Sequence, residues 1–122
     1  SATRAADCAL AMQAQARKLN ELYRSQNRSP FAMRVGLATG YAKVGNIGPA
    51  EKIDYTVIGS VVNLASRLQG IGEPGDVILD EDTYFFVKDH YLVTDLGPKD
   101  LKGFSKSIEV FSVTAREQTT AG

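Results

Sequence analysis

The chain has 122 residues, 43% of them hydrophobic, which suits one domain with a modest core. Fourteen basic and fourteen acidic side chains cancel, so no basic surplus exists to match a nucleic-acid backbone. The single cysteine, Cys8, excludes both a disulfide framework and a cysteine-built zinc site, and no apolar run approaches the ~18 residues of a membrane span.

No signal peptide is visible, and with one free cysteine the expected location is a reducing compartment, the cytoplasm. The chain opens on Ser1-Ala-Thr-Arg4 without an initiator methionine, as expected of a piece of a longer polypeptide. From Thr3 to Ser25 the apolar residues Ala5, Cys8, Ala9, Met12, Ala16, Leu19, Leu22 and Tyr23 fall at helical intervals. Thr3 is the expected N-cap, and Asn27-Arg-Ser-Pro30 ends the helix. Met33 to Thr39 alternates and reads as a strand. Gly40 then permits a reversal into a second strand, Ala42 to Ile47, which predicts a hairpin.

After Gly48-Pro49-Ala50 the stretch from Lys52 to Val57 reads as extended, and Gly59-Ser60 opens a helix from Val61 to Gln69. The glycine-rich run from Gly70 to Gly75 is a loop. Asp76 to Leu79 is a short strand, and Asp80 caps a short helix from Glu81 to Val87. Tyr91 to Leu96 and Ser107 to Val113 are two further strands, and the tail from Arg116 is polar. Helices and strands mix without a repeating βα period, so the fold class is α+β.

The most informative segment is Asp54-Tyr-Thr-Val-Ile-Gly-Ser-Val-Val-Asn-Leu-Ala-Ser-Arg67. At 100° per residue, Asn63 and Arg67 lie about 40° apart on one helix face, while Val61, Ala65 and Leu68 point toward a core. An amide and a guanidinium presented together near a helix N-terminus are suited to an anionic group such as phosphate. Thr56 lies just upstream. Each residue also has a plainer reading. Asn63 could help satisfy the end amides of a helix capped by Ser60, and Arg67 could be a solvated surface cation.

Other groups carry less. Gly40, Gly45 and Gly48 have the spacing of a phosphate-binding loop, but Asn46 and Ile47 stand where that motif needs lysine and a hydroxyl. His90, the only histidine, has no partner placed beside it by sequence and reads as a surface residue. Asp76, Asp80, Glu81 and Asp82 read as capping and solvated groups rather than metal ligands. Lys102 sits in Asp-Leu-Lys-Gly-Phe104, a loop flanked by Lys99 and Lys106.

Five blocks in order resemble the C-terminal two thirds of a class III nucleotidyl cyclase catalytic domain, the adenylyl and guanylyl cyclase family. They are Arg34-Val-Gly-Leu-Ala-Thr-Gly40, Val44-Gly-Asn-Ile-Gly48, Asp54-Tyr-Thr-Val-Ile-Gly59, Val62-Asn-Leu-Ala-Ser-Arg-Leu68 and Leu101-Lys-Gly-Phe104. The resemblance implies a partial catalytic domain over residues 1–115 followed by a polar tail over 116–122. Its implied fold is a ferredoxin-like sheet packed with helices, with N-terminal strands outside this chain.

The same resemblance implies roles. Asn63 matches the asparagine that orients the ribose, and Arg67 the arginine that stabilises the pentavalent phosphorus. Lys102 matches the lysine that grips the β- and γ-phosphates. Thr56 matches a purine-selecting position, where threonine goes with adenine, and the backbone at Val57 faces the purine edge. The implied reaction converts ATP to cyclic AMP and pyrophosphate by attack of the ribose 3′-oxygen on the α-phosphate, at the interface with a second cyclase domain. The family's two metal-binding aspartates and its first purine-selecting lysine lie upstream of the first helix. Two Mg²⁺ or Mn²⁺ ions are therefore expected on ligands outside this chain. The alternatives are a guanylyl cyclase and a non-catalytic domain that binds nucleotide or dimerises.

Overall fold

The computed structural model describes residues 1–40, 44–47, 50–53 and 55–117, with side chains from 1–40 and 59–117. Helix α1 spans Ala2–Ser25. Its N-cap is Ser1, whose hydroxyl accepts from the Arg4 amide, so the expected cap Thr3 lies inside the first turn instead. The far end closes as a Schellman motif, with Asn27 in the left-handed region at φ 57°. There the amides of Asn27 and Arg28 reach back to the carbonyls of Arg24 and Tyr23, at 3.1 and 2.8 Å. Asparagine tolerates that conformation, which is why the helix stops where it does.

Strands β1 (Val35–Leu37), β4 (Val77–Asp80), β5 (Tyr91–Lys99) and β6 (Ile108–Arg116) form one mixed sheet in the order β1-β4-β6-β5. β1 runs parallel to β4, and both other pairings are antiparallel. A separate two-stranded ribbon joins β2 (Val44–Ile47) to β3 (Ala50–Ile53), with Ile47 opposite Ala50. This corrects the expected hairpin between Met33–Thr39 and Ala42–Ile47. β2 pairs with the strand that follows it in the chain, and β1 lies beside β4. β6 runs on through Arg116, which pairs with Tyr91, past the expected end of that strand at Val113.

Helix α2 covers Tyr55–Ile71 and begins well before the expected start at Val61. The β-branched run Thr56-Val-Ile58 and Gly59 argue locally against helix, by a few tenths to about 1 kcal/mol each. Further along, α2 is seated on the sheet through Leu64 and Leu68. Ser60 lies inside the helix and caps nothing, so the capping reading of Asn63 falls away. Helix α3 (Glu81–Val87) is capped as expected, the Asp80 carboxylate accepting from the Thr83 amide at 3.1 Å.

Strand β4 is buried along its whole length, consistent with its unbroken apolar run Val77-Ile-Leu79. Its alternation separates two cores. Val77 and Leu79 meet Ala6 and Ala9 of α1, Val87 of α3, and Tyr91, Phe111 and Val113 of the sheet. Ile78 faces the other way, onto Leu68 of α2, Leu101 and Val110. Helices therefore cover both faces of an α+β sheet. α1 buries a narrow stripe of Ala6, Ala9, Gln13 and Ala16, while Met12, Leu19 and Leu22 stay exposed. Gln13 is the stripe's polar member. Its Nε2 donates to the carbonyls of Met33 and Asp76, at 2.9 and 3.0 Å, and fixes the segments that enter β1 and β4.

Candidate active site

The site begins with the buried side of α2. Leu68 is fully buried beside Ile78 and Val110, and Leu64 packs on the same cluster. With that side anchored, Asn63 and Arg67 stand exposed on the opposite face, one turn apart, as their spacing requires.

Lys102 arrives from a different part of the chain. Past β5, Leu101 is buried in the α2-side core and Phe104 packs against the same cluster. Between them the chain turns, the Phe104 amide donating to the Leu101 carbonyl at 3.1 Å. Gly103 takes φ 90° at the third position, which defines a type II turn and explains a glycine there. Two apolar anchors and one glycine thus hold Lys102 exposed at the turn tip.

These elements meet at a cleft of about 450 Å³ lined by Gly59, Ser60, Asn63, Arg67, Lys102, Gly103 and Phe104. The structure brings together three of the five residues singled out from sequence. Thr56 and Val57 lie in the first turn of α2 rather than in an extended segment, and their side chains are outside the described residues. The sequence reading did not anticipate Ser60 and Phe104 as lining groups. The motif Leu101-Lys-Gly-Phe104 held the signal for Phe104, an apolar residue directly after a turn glycine.

Chemically the cleft offers two cations, an amide and a hydroxyl. That set suits a polyanion with a polar attachment, such as a nucleoside triphosphate. It does not suit a divalent ion. Its described lining has no carboxylate, and no group of three or more His, Cys, Asp or Glu side chains is placed to hold a metal among the described residues. The residues present therefore do not fit the two ions implied by the resemblance.

The remaining candidates behave as expected. His90 is exposed between α3 and β5, its amide bonded to the Val87 carbonyl and its own carbonyl to the Glu117 amide. Asp76 accepts from the Glu73 amide at 2.8 Å, and Glu81 and Asp82 occupy the first turn of α3. Gly45 pairs with Lys52 inside the ribbon, which is no phosphate loop, and Gly48 lies outside the described residues.

Fold and cleft together define an α+β domain with a cationic cleft between α2 and the turn after β5. A family model described as the adenylate and guanylate cyclase catalytic domain matches residues 1–115, and the chain belongs to that family. Among curated relatives, Adenylate cyclase 1 of Rhizobium meliloti (strain 1021) is 32% identical over 114 residues, 92% of this chain and 17% of that protein. Among solved structures, the adenylyl cyclase CyaB from P. aeruginosa aligns with a TM-score of 0.70 at 33% identity, over 92% of this chain and 57% of that one. The guanylyl cyclase Cya2 aligns with a TM-score of 0.75 at 26% identity, over 98% of this chain and 61% of that one. The chain thus spans 17% of that curated relative and 57–61% of the two solved ones, under two thirds of each.

Proposed function

We propose that the chain is part of an adenylyl cyclase catalytic domain that converts ATP to cyclic AMP and pyrophosphate. The observation that carries this reading is the convergence of Asn63, Arg67 and Lys102 on one cleft from two distant segments. In this reading Asn63 hydrogen-bonds the ribose and fixes the 3′-oxygen against the α-phosphorus. Arg67 faces the charge that builds on the α-phosphate oxygens as the new P–O bond forms and pyrophosphate departs. A preorganised guanidinium aimed at that charge lowers the barrier more than it strengthens ground-state binding. Lys102 holds the β- and γ-phosphates, which keeps the leaving group in line with the attack.

Adenine is the base we favour, on Thr56 and on the 32–33% identity to proteins named as adenylate cyclases. The fold likeness to Cya2 supports the second reading, a guanylyl cyclase. The carboxylates that hold Mg²⁺ or Mn²⁺ come from residues outside this cleft, and a second cyclase domain faces it. The test is product formation from ATP and from GTP, with Mn²⁺, by a polypeptide carrying the complete catalytic domain. Cyclic AMP as main product is expected. Cyclic GTP-derived product in excess overturns the adenine assignment, and no product from a folded dimer overturns the enzyme.

A further inference from the structure

Strand β1 lies directly under α2, and two glycines stand where the two elements touch. A Cβ at Gly36 would fall 2.3 Å from the Ala65 carbonyl oxygen and 2.6 Å from the Gln69 amide nitrogen. A Cβ at Gly40, just past the strand, would fall 2.0 Å from Cγ2 of Val61. Neither glycine has the positive φ seen at Gly75, Gly97 and Gly103. Their identity answers to space alone, not to backbone conformation.

The residues they touch, Val61, Ala65 and Gln69, recur every four positions and form one stripe along α2. Asn63 and Arg67 alternate with them along the axis and emerge on the other side. A helix is stiff on this scale, so the distance at which β1 seats the stripe fixes how far the polar pair projects into the cleft.

We propose that Gly36 and Gly40 are positioning residues that set the height of Asn63 and Arg67 against bound nucleotide. The inference rests on the catalytic reading of that pair given above. At Gly36 the obstruction is helix backbone, which cannot rotate away. A methyl there reaches ordinary contact, 3.4 Å or more, only if α2 retreats. The retreat is about 1 Å, and a misplacement of that size costs on the order of 10²-fold in rate. At Gly40 the obstruction is a side-chain methyl, so the clash can be removed by truncating Val61.

The experiment is steady-state kinetics on the complete catalytic domain, normalised to folded protein, for four variants. Gly36→Ala and Gly40→Ala are expected to lower kcat about 10- to 100-fold with KM within about threefold, the pattern of a misaligned transition-state group. Gly40→Ala/Val61→Ala is expected to recover most of the loss. Gly70→Ala, on the same helix with nothing within 4 Å, is expected to match the parent. Unchanged kcat in Gly40→Ala, or no recovery in the double variant, overturns the proposal even if Gly36→Ala fails to fold. If the parent domain itself makes no cyclic nucleotide, the cyclase reading fails separately. Crystal structures of the parent and Gly40→Ala then decide the seating: a shifted Asn63–Arg67 face supports it, and an unshifted one overturns it.

Discussion

At the scale of single residues, the distinction that matters is between binding charge and stabilising its transfer. Arg67 and Lys102 both bring a positive charge to the cleft, yet they enter on different supports. Arg67 rises from a long helix anchored by the fully buried Leu68. It is the more rigidly based of the two, and the better placed to meet charge that appears only during reaction. We therefore expect Arg67→Ala in the complete domain to lower kcat by about 10²–10³, the scale of one preorganised donor, with little change in KM. Steady-state kinetics on ATP checks this, and a variant that raised KM alone would reduce Arg67 to a substrate-binding group. The pair Asn63 and Arg67 was legible in the sequence because helical spacing alone puts both on one face. Gly36 was not singled out, although an isolated glycine inside an alternating strand is the usual sign of a close backbone approach.

At the scale of elements, two junctions carry measurable consequences. The turn that presents Lys102 depends on Gly103 at φ 90°, a conformation that costs a side-chain-bearing residue about 1–2 kcal/mol. Gly103→Ala is expected to destabilise the domain by about that amount and to raise KM for nucleotide by moving Lys102. Denaturant unfolding and kinetics on one preparation test both halves, and a stability loss with KM unchanged would detach Lys102 from substrate. The second junction joins β4 to α3. Asp80 is buried, and burial lifts its carboxyl above the usual value of 3.8, while hydrogen bonds from Thr83 act in the opposite direction. The folded state then holds this proton more tightly than the unfolded chain. Its contribution is full below pH 3.8 and is lost as pH rises through the higher folded value. Asp80→Asn keeps an acceptor for the Thr83 amide and is expected to flatten that decline, seen as a smaller drop in Tm from pH 4 to 7 than in the parent. An equal drop in both proteins would assign the pH dependence elsewhere. Local chemistry made the capping role of Asp80 readable in advance. It could not reveal the start of α2, because the β-branched run and Gly59 oppose helix locally. Nor could it reveal the partner of β2, since either glycine-containing break could have served as the reversal.

At the scale of the whole molecule, the cleft is chemically one-sided. It gathers cations, an amide and a hydroxyl, and its described lining has no acid to activate a 3′-hydroxyl or hold a divalent ion. In the proposed reading the acidic half comes from residues outside this described lining. Val62, next to Asn63 in α2 and about 100° around the helix from it, is exposed, 62% accessible. With a second cyclase domain facing the cleft, as proposed above, the complete domain is expected to turn over only when that domain closes it. Specific activity is expected to fall on dilution, with the midpoint at the dimer dissociation constant measured independently by sedimentation. Val62→Asp would place a charge in that contact and should weaken association by about tenfold or more, equivalent to at least about 1.4 kcal/mol. At protein concentrations well above the new constant, the variant should recover parental kcat, as expected of a residue that meets the partner domain and not the nucleotide. Activity that stays proportional to protein concentration down to a clearly monomeric range would show that one domain supplies both halves of its own site.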